Sequence, residues 1–421
     1  MKILYIVHKF WRPTIGGTLN YYADFFNEIV KYHNIRILVP MKKNTKREIN
    51  TDDNIITVPT GYAVNPNGRF PMYHYHSIYN TKIENIFQSA IDQYHPNIIH
   101  FQHFLGLPFR CLEHAINTKI PVVVTIHDFW TLCPRIHFYD TEEKICKEPR
   151  KGAKCLGCAK GNLRVRENIR TMMKDIFFVS GRRYNFFTWR YSYVLSLLKR
   201  TSVLIVPSNF SKNIYMGAGV VSPKIEVVPF SLNIPQITPQ YVDIKTKIRF
   251  GFVGTLSNHK GVLDILKAFT FINKERAELL LYGSNGYTSL RKNIPQSELP
   301  HIKFMGTFTK QEMPTVYSSM DYLIVPSRCY ETYSFVARES FQYGTPVIAP
   351  SHSVFTELIR NKHNGFLFQP LNWHSLAEVL DGIISKNFRI DPSNIKGVMP
   401  SFSEHINTIL SIYNSLLIRN D

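Results

Sequence analysis

The sequence predicts an α/β chain folded as two doubly wound domains, each a parallel sheet covered by helices on both faces. Three observations predict it. The chain has 421 residues, too many for one ordinary core and comfortable for two of about 200 residues each. Short β-branched and aromatic runs recur, separated by helix-length segments, and continuously apolar runs of that kind mark strands buried on both faces. A stretch rich in Pro and polar residues, Asn233–Pro239, parts the runs into two series.

The first series is Ile3–Val7, Ile35–Val39, Ile98–Phe101, Val122–Ile126 and Val203–Val206. The second is Ile248–Val253, Leu279–Tyr282, Ile302–Met305, Tyr322–Val325 and Val347–Ala349. The expected domains are therefore 1–233, with an insertion at about 133–200, and 234–402. Amphipathic Ser403–Leu417 reads as a helix, part of a segment at about 403–421 that packs back on the first domain. The opening run Met1–Val7 turns polar too early for a secretory leader, and no apolar run approaches the ~18–20 residues of a membrane span. Residence in the cytosol is expected.

Hydrophobic residues make up 44% and charged ones 19%, a folded rather than a disordered balance. The net charge of +19 is uneven: Lys144 to Arg200 holds 15 Lys and Arg against 3 Asp and Glu. A localised basic stretch calls for a polyanionic partner, whether nucleic acid, anionic lipid or a phosphorylated substrate. Of six cysteines, Cys133, Cys146, Cys155 and Cys158 cluster. In a cytosolic chain, free thiols or a metal site explain them better than disulfides.

The strongest chemical signal runs from Tyr330 to Ala349, YETYSFVARESFQYGTPVIA. It reads as strand end, loop, helix and strand, with Ser334 as N-cap and Gly344 as the stop. A helix that starts at a strand end presents free N–H groups, here near Ser334, Phe335 and Val336, and a positive dipole to a phosphate. Glu339 lies about one turn inside, on the face of Phe335, where it can accept hydrogen bonds from two ribose hydroxyls. Glu331 precedes the helix and can reach a sugar beyond the phosphates.

These residues resemble the family 4 glycosyltransferases, whose hallmark is two glutamates separated by seven residues and followed by Gly-x-Pro-Val-Ile. The family usually carries Gly where this chain has Ser334. A second segment, Gly251 to Gly261, is similar to the family's glycine-rich phosphate loop. Gly254 permits close approach and Lys260 supplies charge, although Thr255 stands where members often have Arg. In the first half, Gly16-Gly17 opens a helix after the first strand, as the family's Gly-Gly loop does. His127-Asp128 follows the strand Val122–Ile126 and His103 follows Ile98–Phe101, at strand ends where doubly wound sheets bind ligands.

The resemblance implies the GT-B fold, with a cleft between two Rossmann-like domains. It implies a retaining glycosyltransferase that takes a UDP- or GDP-sugar and needs no cofactor for catalysis. Glu331, His127 and Asp128 are the implied catalytic residues. Gly16, Gly17, His103, Gly254, Lys260, Ser334, Phe335, Val336 and Glu339 are the implied binding residues. The alternatives are a nucleotide-sugar epimerase on the same architecture and a basic nucleic-acid-binding protein, which would leave Glu331 and Glu339 without a role.

The four cysteines, spaced x12, x8 and x2, suit a structural zinc, with an iron–sulfur cluster or reduced thiols as alternatives. The basic stretch Arg164–Arg200 interleaves Phe177, Phe178, Tyr184, Phe186, Phe187, Trp189, Tyr191 and Tyr193. That pattern suits an anionic membrane, single-stranded nucleic acid or a solvated helical face. Combined with sugar transfer, it is read as peripheral attachment at the inner membrane face. The acceptor would be a glycan or a lipid-linked species used in surface polysaccharide biosynthesis, and no nucleic-acid partner is expected.

Overall fold

The computed structural model describes residues 1–8, 16–42, 55–60, 77–146, 150–155, 158, 186–221, 224–235, 247–283, 290–292, 294, 300–395 and 397–418. The chain divides into two compact units. Unit 1 is Met1–Glu142, Cys146–Ser231 and Ser401–Asp421; unit 2 is Glu143–Ile145 and Leu232–Pro400.

In chain order, unit 1 begins with strand β1 (Lys2–Ile6), helix α1 (Gly17–Ile29), β2 (Asn34–Lys42), β3 (Ile55–Thr60), α2 (Thr81–Tyr94) and β4 (Ile98–Phe101). It continues with α3 (Arg110–Asn117), β5 (Val122–Thr125), α4 (Phe186–Leu198), β6 (Val203–Val206), α5 (Asn209–Gly217) and β7 (Ile225–Val227). The strands form one parallel sheet in the order β3-β2-β1-β4-β5-β6-β7. Every residue of β4 and β5 is buried, as the apolar runs IIHF and VVVT require. Helix starts follow local chemistry: the Asn80 side chain accepts from Ile83 N–H, and Ser208 accepts from Ser211 N–H.

Unit 2 contains β8 (Ile248–Val253), α6 (Val262–Phe269), β9 (Ala277–Tyr282), β10 (Ile302–Gly306), α7 (Met313–Ser318), β11 (Tyr322–Ile324) and α8 (Phe335–Gln342). It ends with β12 (Val347–Pro350), α9 (Phe355–Leu358), β13 (Gly365–Phe368) and α10 (Trp373–Ser385). Its parallel sheet runs β10-β9-β8-β11-β12-β13, the order of a dinucleotide-binding fold. The sequence predicts none of β3, β7 and β13. β13 is only GFLF, and β3 follows a polar stretch with no helix signal before it. The linker read at Asn233–Pro239 lies largely outside the described residues, which resume at Lys247.

The last helix, α11 (Phe402–Ile418), belongs to unit 1. Its apolar stripe of Ile406, Ile409, Tyr413 and Leu416 is buried, each side chain contributing about 1.5–3 kcal/mol. Two polar contacts fix its register: His405 Nδ1 lies 2.9 Å from the Pro229 carbonyl and Tyr413 Oη lies 2.5 Å from His100 Nδ1.

Both sheets reverse winding direction at one place, between β1 and β4 in unit 1 and between β8 and β11 in unit 2. Ligands of open α/β sheets bind at the carboxyl ends of the strands flanking such a switch point. Segments that follow these strands are therefore where chemistry is expected.

Candidate active site

In unit 2 the loop after β8 delivers Lys260 and the loop after β11 delivers Glu331, one from each side of the switch point. Lys260 Nζ lies 2.7 Å from Glu331 Oε1, and the same oxygen accepts from Ser327 Oγ at 2.9 Å. Burial alone would lower the Lys260 ammonium, but the Glu331 charge, with Cys329 and the hydrogen bond, outweighs it and holds Lys260 above the ordinary lysine range. His352, after β12, sets its Nε2 3.2 Å from the Ser327 carbonyl and its ring 5.6 Å from Tyr330. Burial pushes its imidazole down to about 4, so it is neutral at physiological pH. Neither Ser327 nor His352 was read from the sequence, because each takes part only through loops brought together by strand pairing.

Gly254 follows β8 with φ of 149°, and its carbonyl lies 1.8 Å from where a Cβ on Gly283 would stand. The two loop backbones thus approach as only glycine allows. Glu339 is buried on α8 and accepts from Tyr317 Oη at 2.5 Å. Burial raises its carboxyl, against the opposing Tyr317 hydrogen bond. Tyr317 thereby fixes the rotamer of the glutamate assigned to ribose.

Ser334 departs from expectation. It occupies the N-cap position of α8, but its side chain makes no capping bond and its backbone is left-handed, φ 57° and ψ 79°. The tertiary path into the helix, not serine's capping chemistry, sets this residue, and that explains a family preference for Gly there. Ser334→Gly should raise the thermal midpoint of unit 2, relieving about 0.5–1 kcal/mol of strain net of added unfolded-state entropy. Ser334→Ala should be near neutral; a loss above ~1 kcal/mol would mean that the hydroxyl caps after all.

Unit 1 gathers its candidates at the corresponding edge. Gly16 adopts φ 118° before α1 and its carbonyl accepts from Asn20 N–H at 3.0 Å; Gly17 is the first helical residue. His103 Nδ1 accepts from Leu105 N–H at 2.9 Å, so Nε2 carries the proton donated to Asp128 Oδ2 at 2.7 Å. The other Asp128 oxygen accepts from Trp130 N–H at 2.9 Å. Burial pushes the Asp128 carboxyl up, but His103 and the Trp130 N–H outweigh it and hold the acid well below its usual range. His127 stacks on Phe230 with ring centroids 4.6 Å apart, and its Nε2 lies 2.6 Å from Gln102 Oε1. Burial, with His103 adding to it, keeps the His127 imidazole well below its ordinary range and hence neutral. Gln102 and His100 escaped the sequence reading because β4 and β5 must pair before their role exists.

The cysteines come together in unit 1. Burial pushes the Cys133 and Cys155 thiols up to about 12, and every pair among the four is close enough for one thiol's charge to disfavour ionisation of the other. All four are free, and among the described residues no three His, Cys, Asp or Glu side chains are arranged to hold a metal ion. Of the basic aromatic stretch, residues 159–185 lie outside the described residues, including Phe177, Phe178, Tyr184 and the arginines at 182 and 183. The described part corrects the expectation of an exposed face. Phe186, Phe187 and Tyr191 are buried, and Arg190 is 1% exposed, bonded to the Trp130 carbonyl at 2.6 Å. The α4 sequence FFTWRYSYVLSLL is too apolar to stand in solvent, and it forms core. Among the described residues no helix is long and apolar enough to cross a membrane.

The family model described as Glycosyltransferase Family 4 matches residues 15–233, and that for glycosyl transferases group 1 matches 234–395. The chain belongs to glycosyltransferase family 4. This glycosyltransferase is 29% identical over 137 residues to an uncharacterized glycosyltransferase of Methanocaldococcus jannaschii, covering 32% of this chain and 35% of that protein. It is 24% identical over 206 residues to a GDP-mannose-dependent monoacylated alpha-(1-6)-phosphatidylinositol monomannoside mannosyltransferase of Corynebacterium glutamicum, covering 44% and 54%. The aligned segments thus span about a third to a half of these curated relatives.

Solved structures match along the whole fold. Sucrose-phosphate synthase from Thermosynechococcus elongatus aligns with TM-score 0.63 and 15% identity over 99% of this chain and 96% of that one. Anabaena HepE in complex with UDP-glucose aligns with TM-score 0.60 and 17% identity over 100% of both. The chain therefore has the GT-B fold, and its family membership favours sugar transfer over the epimerase alternative.

Proposed function

We propose that this glycosyltransferase moves a sugar, with retention, from a UDP- or GDP-sugar to a hydroxyl of a glycan or lipid-linked acceptor. The observation that carries the reading is the Lys260–Glu331 pair flanking the unit 2 switch point, beside the left-handed turn at Ser334 that opens α8. In this reading the diphosphate lies on Lys260 and the N–H groups of Phe335 and Val336. The ribose lies on Glu339, and Glu331 meets the transferred sugar. As the glycosidic bond breaks, negative charge grows on the leaving phosphate, where Lys260 and the helix start stabilise it. That phosphate accepts the proton of the attacking hydroxyl on the same face. Neutral His127 and ionised Asp128 hydrogen-bond to sugar or acceptor hydroxyls, with Gly16, Gly17 and His103 shaping the acceptor side.

The Glu-x7-Glu spacing supports retention, and the HepE complex with UDP-glucose supports the donor class. The Corynebacterium relative, named for a phosphatidylinositol mannoside, supports a lipid-linked acceptor. A structural neighbour named as a lipopolysaccharide outer core galactosyltransferase, with TM-score 0.61 and 13% identity over 100% of both chains, agrees with surface glycan synthesis. Attachment to the inner membrane face rests on residues 159–185. The test is thermal protection by UDP-glucose or GDP-mannose and none by a single-stranded oligonucleotide. The opposite result overturns the reading, and a product with the anomeric configuration inverted relative to the donor overturns retention.

Catalysis needs no cofactor in this reading, and we propose a structural zinc for Cys133, Cys146, Cys155 and Cys158. Two buried guanidinium N–H groups, Arg190 Nε and an Arg135 Nη, make no hydrogen bond. Arg190 interacts electrostatically with Cys133 and Cys155, and Arg135 with Cys158. The Arg190 and Arg135 cations face neutral thiols that offer no balancing charge, whereas four zinc-bound thiolates would supply negative charge and sulfur acceptors. Purified protein should carry about one zinc per chain, lost in Cys155→Ser. Neither zinc nor iron by elemental analysis ends the proposal.

A further inference from the structure

We infer that Gln102, His100 and Tyr413 form a positioning chain that sets which nitrogen of His127 carries the proton. The inference builds on the reading of His127 as a substrate-facing residue. The chain is continuous and buried. Tyr413 Oη of α11 lies 2.5 Å from His100 Nδ1, and His100 Nε2 lies 2.7 Å from Thr125 Oγ1 and 3.1 Å from Gln102 Nε2. Gln102 Oε1 then lies 2.6 Å from His127 Nε2. His100, Gln102 and Tyr413 are each 0% exposed.

A neutral imidazole has one donor nitrogen and one acceptor nitrogen, whereas a carboxamide has a donor end and an acceptor end that cannot be exchanged without turning it. His100 is such an imidazole, because burial pushes it down to about 3. Its Nε2 accepts from the Gln102 amide and the Thr125 hydroxyl, which leaves the proton on Nδ1, donated to the Tyr413 oxygen. With its N–H committed to His100, Gln102 can turn only its carbonyl oxygen toward His127. His127 must then donate from Nε2 and carry its lone pair on Nδ1. The protonation pattern of the substrate-facing ring is thus tied, through Gln102 and His100, to a helix far along the sequence.

The same helix holds the ring's position by a second route. His405 Nδ1 donates to the Pro229 carbonyl at 2.9 Å, so its Nε2 accepts from Tyr21 Oη at 3.0 Å. The Tyr21 ring lies 5.2 Å from His127, and Phe230, next to Pro229, stacks on His127 at 4.6 Å and packs against Tyr21 at 4.8 Å. One polar chain and one pair of rings, both anchored on α11, converge on His127. A residue that merely filled space would need neither the amide nor the hydroxyl.

The test reads ring nitrogens directly, by ¹⁵N NMR of the full chain labelled at histidine, with His127 and His100 assigned from His127→Gln and His100→Gln. Wild type should show His127 protonated at Nε2 and His100 at Nδ1. Gln102→Glu, an acceptor at both ends, should leave His127 at Nε2 but move the His100 proton to Nε2. Gln102→Leu should mix the His127 tautomers and lower sugar transfer about 10- to 100-fold, the loss typical when an orienting partner is removed. His127 protonated at Nδ1 in wild type, or His127 signals unmoved in Gln102→Leu, overturns the chain. These signals need no substrate. Full activity in His127→Ala would instead overturn the role of His127 and leave the tautomer assignment standing.

Discussion

Glu331→Gln should lower the turnover number by two to three orders of magnitude and change donor affinity by less than about fivefold. The amide keeps the size of the side chain and can still accept from Ser327 Oγ, which holds the native oxygen at 2.9 Å. What it loses is charge. Cleavage of a glycosidic bond places positive charge on the sugar, and a carboxylate already held in place stabilises it without reorganising. The Lys260 ammonium, 2.7 Å away in the native protein, would lose its counter-charge and become more available to the donor phosphates. That is why binding should hold while turnover falls. Steady-state kinetics with the donor found by thermal protection decide the matter. An unchanged turnover number would remove Glu331 from the chemistry, whereas a large rise in donor Kd alone would make it a binding residue.

Unit 1 should lose stability steeply as the pH falls below about 6.5. Burial holds His100 at about 3 and His405 at about 4, and pushes His127 well below its ordinary range. In the unfolded chain all three titrate near 6.5, so below that pH the unfolded state binds protons that the folded state refuses. Stability therefore rises with pH through this window and falls as acid is added. Between pH 6 and 5 each histidine costs about 1 kcal/mol, about 3 kcal/mol for the three. Urea unfolding followed by unit 1 tryptophans at pH 7, 6 and 5 measures this directly. His405→Gln should remove about a third of the slope, whatever its effect at pH 7. A flat profile from pH 7 to 5 would show that these rings are not buried neutral.

Much of the fold was legible because parallel strands buried on both faces leave uniformly apolar runs. Val122–Ile126 and Ile248–Val253 could hardly be anything else. The strand–helix–strand unit that carries Glu331, Ser334, Glu339 and Gly344 was legible for a similar reason, since its geometry is local. Where the reading failed, distant packing had decided the outcome. Ser334 has the chemistry of a cap yet sits in a left-handed turn, and Phe186, Phe187 and Tyr191 look like membrane anchors yet form core. Gln102 beside His127 was invisible because 25 residues and a strand crossover separate them.

Helix α11 completes unit 1 from beyond unit 2, which makes the first unit discontinuous in the gene while most of the second is contiguous. On the ribosome, the bulk of unit 2 is made before unit 1 has its final helix. Until then Tyr21, His100 and the strands beneath them lack their cover and are open to chaperones or to wrong partners. A fragment ending near Ser231 should therefore be poorly soluble, and supplying residues 397–421 as a separate peptide offers a route to rescuing it.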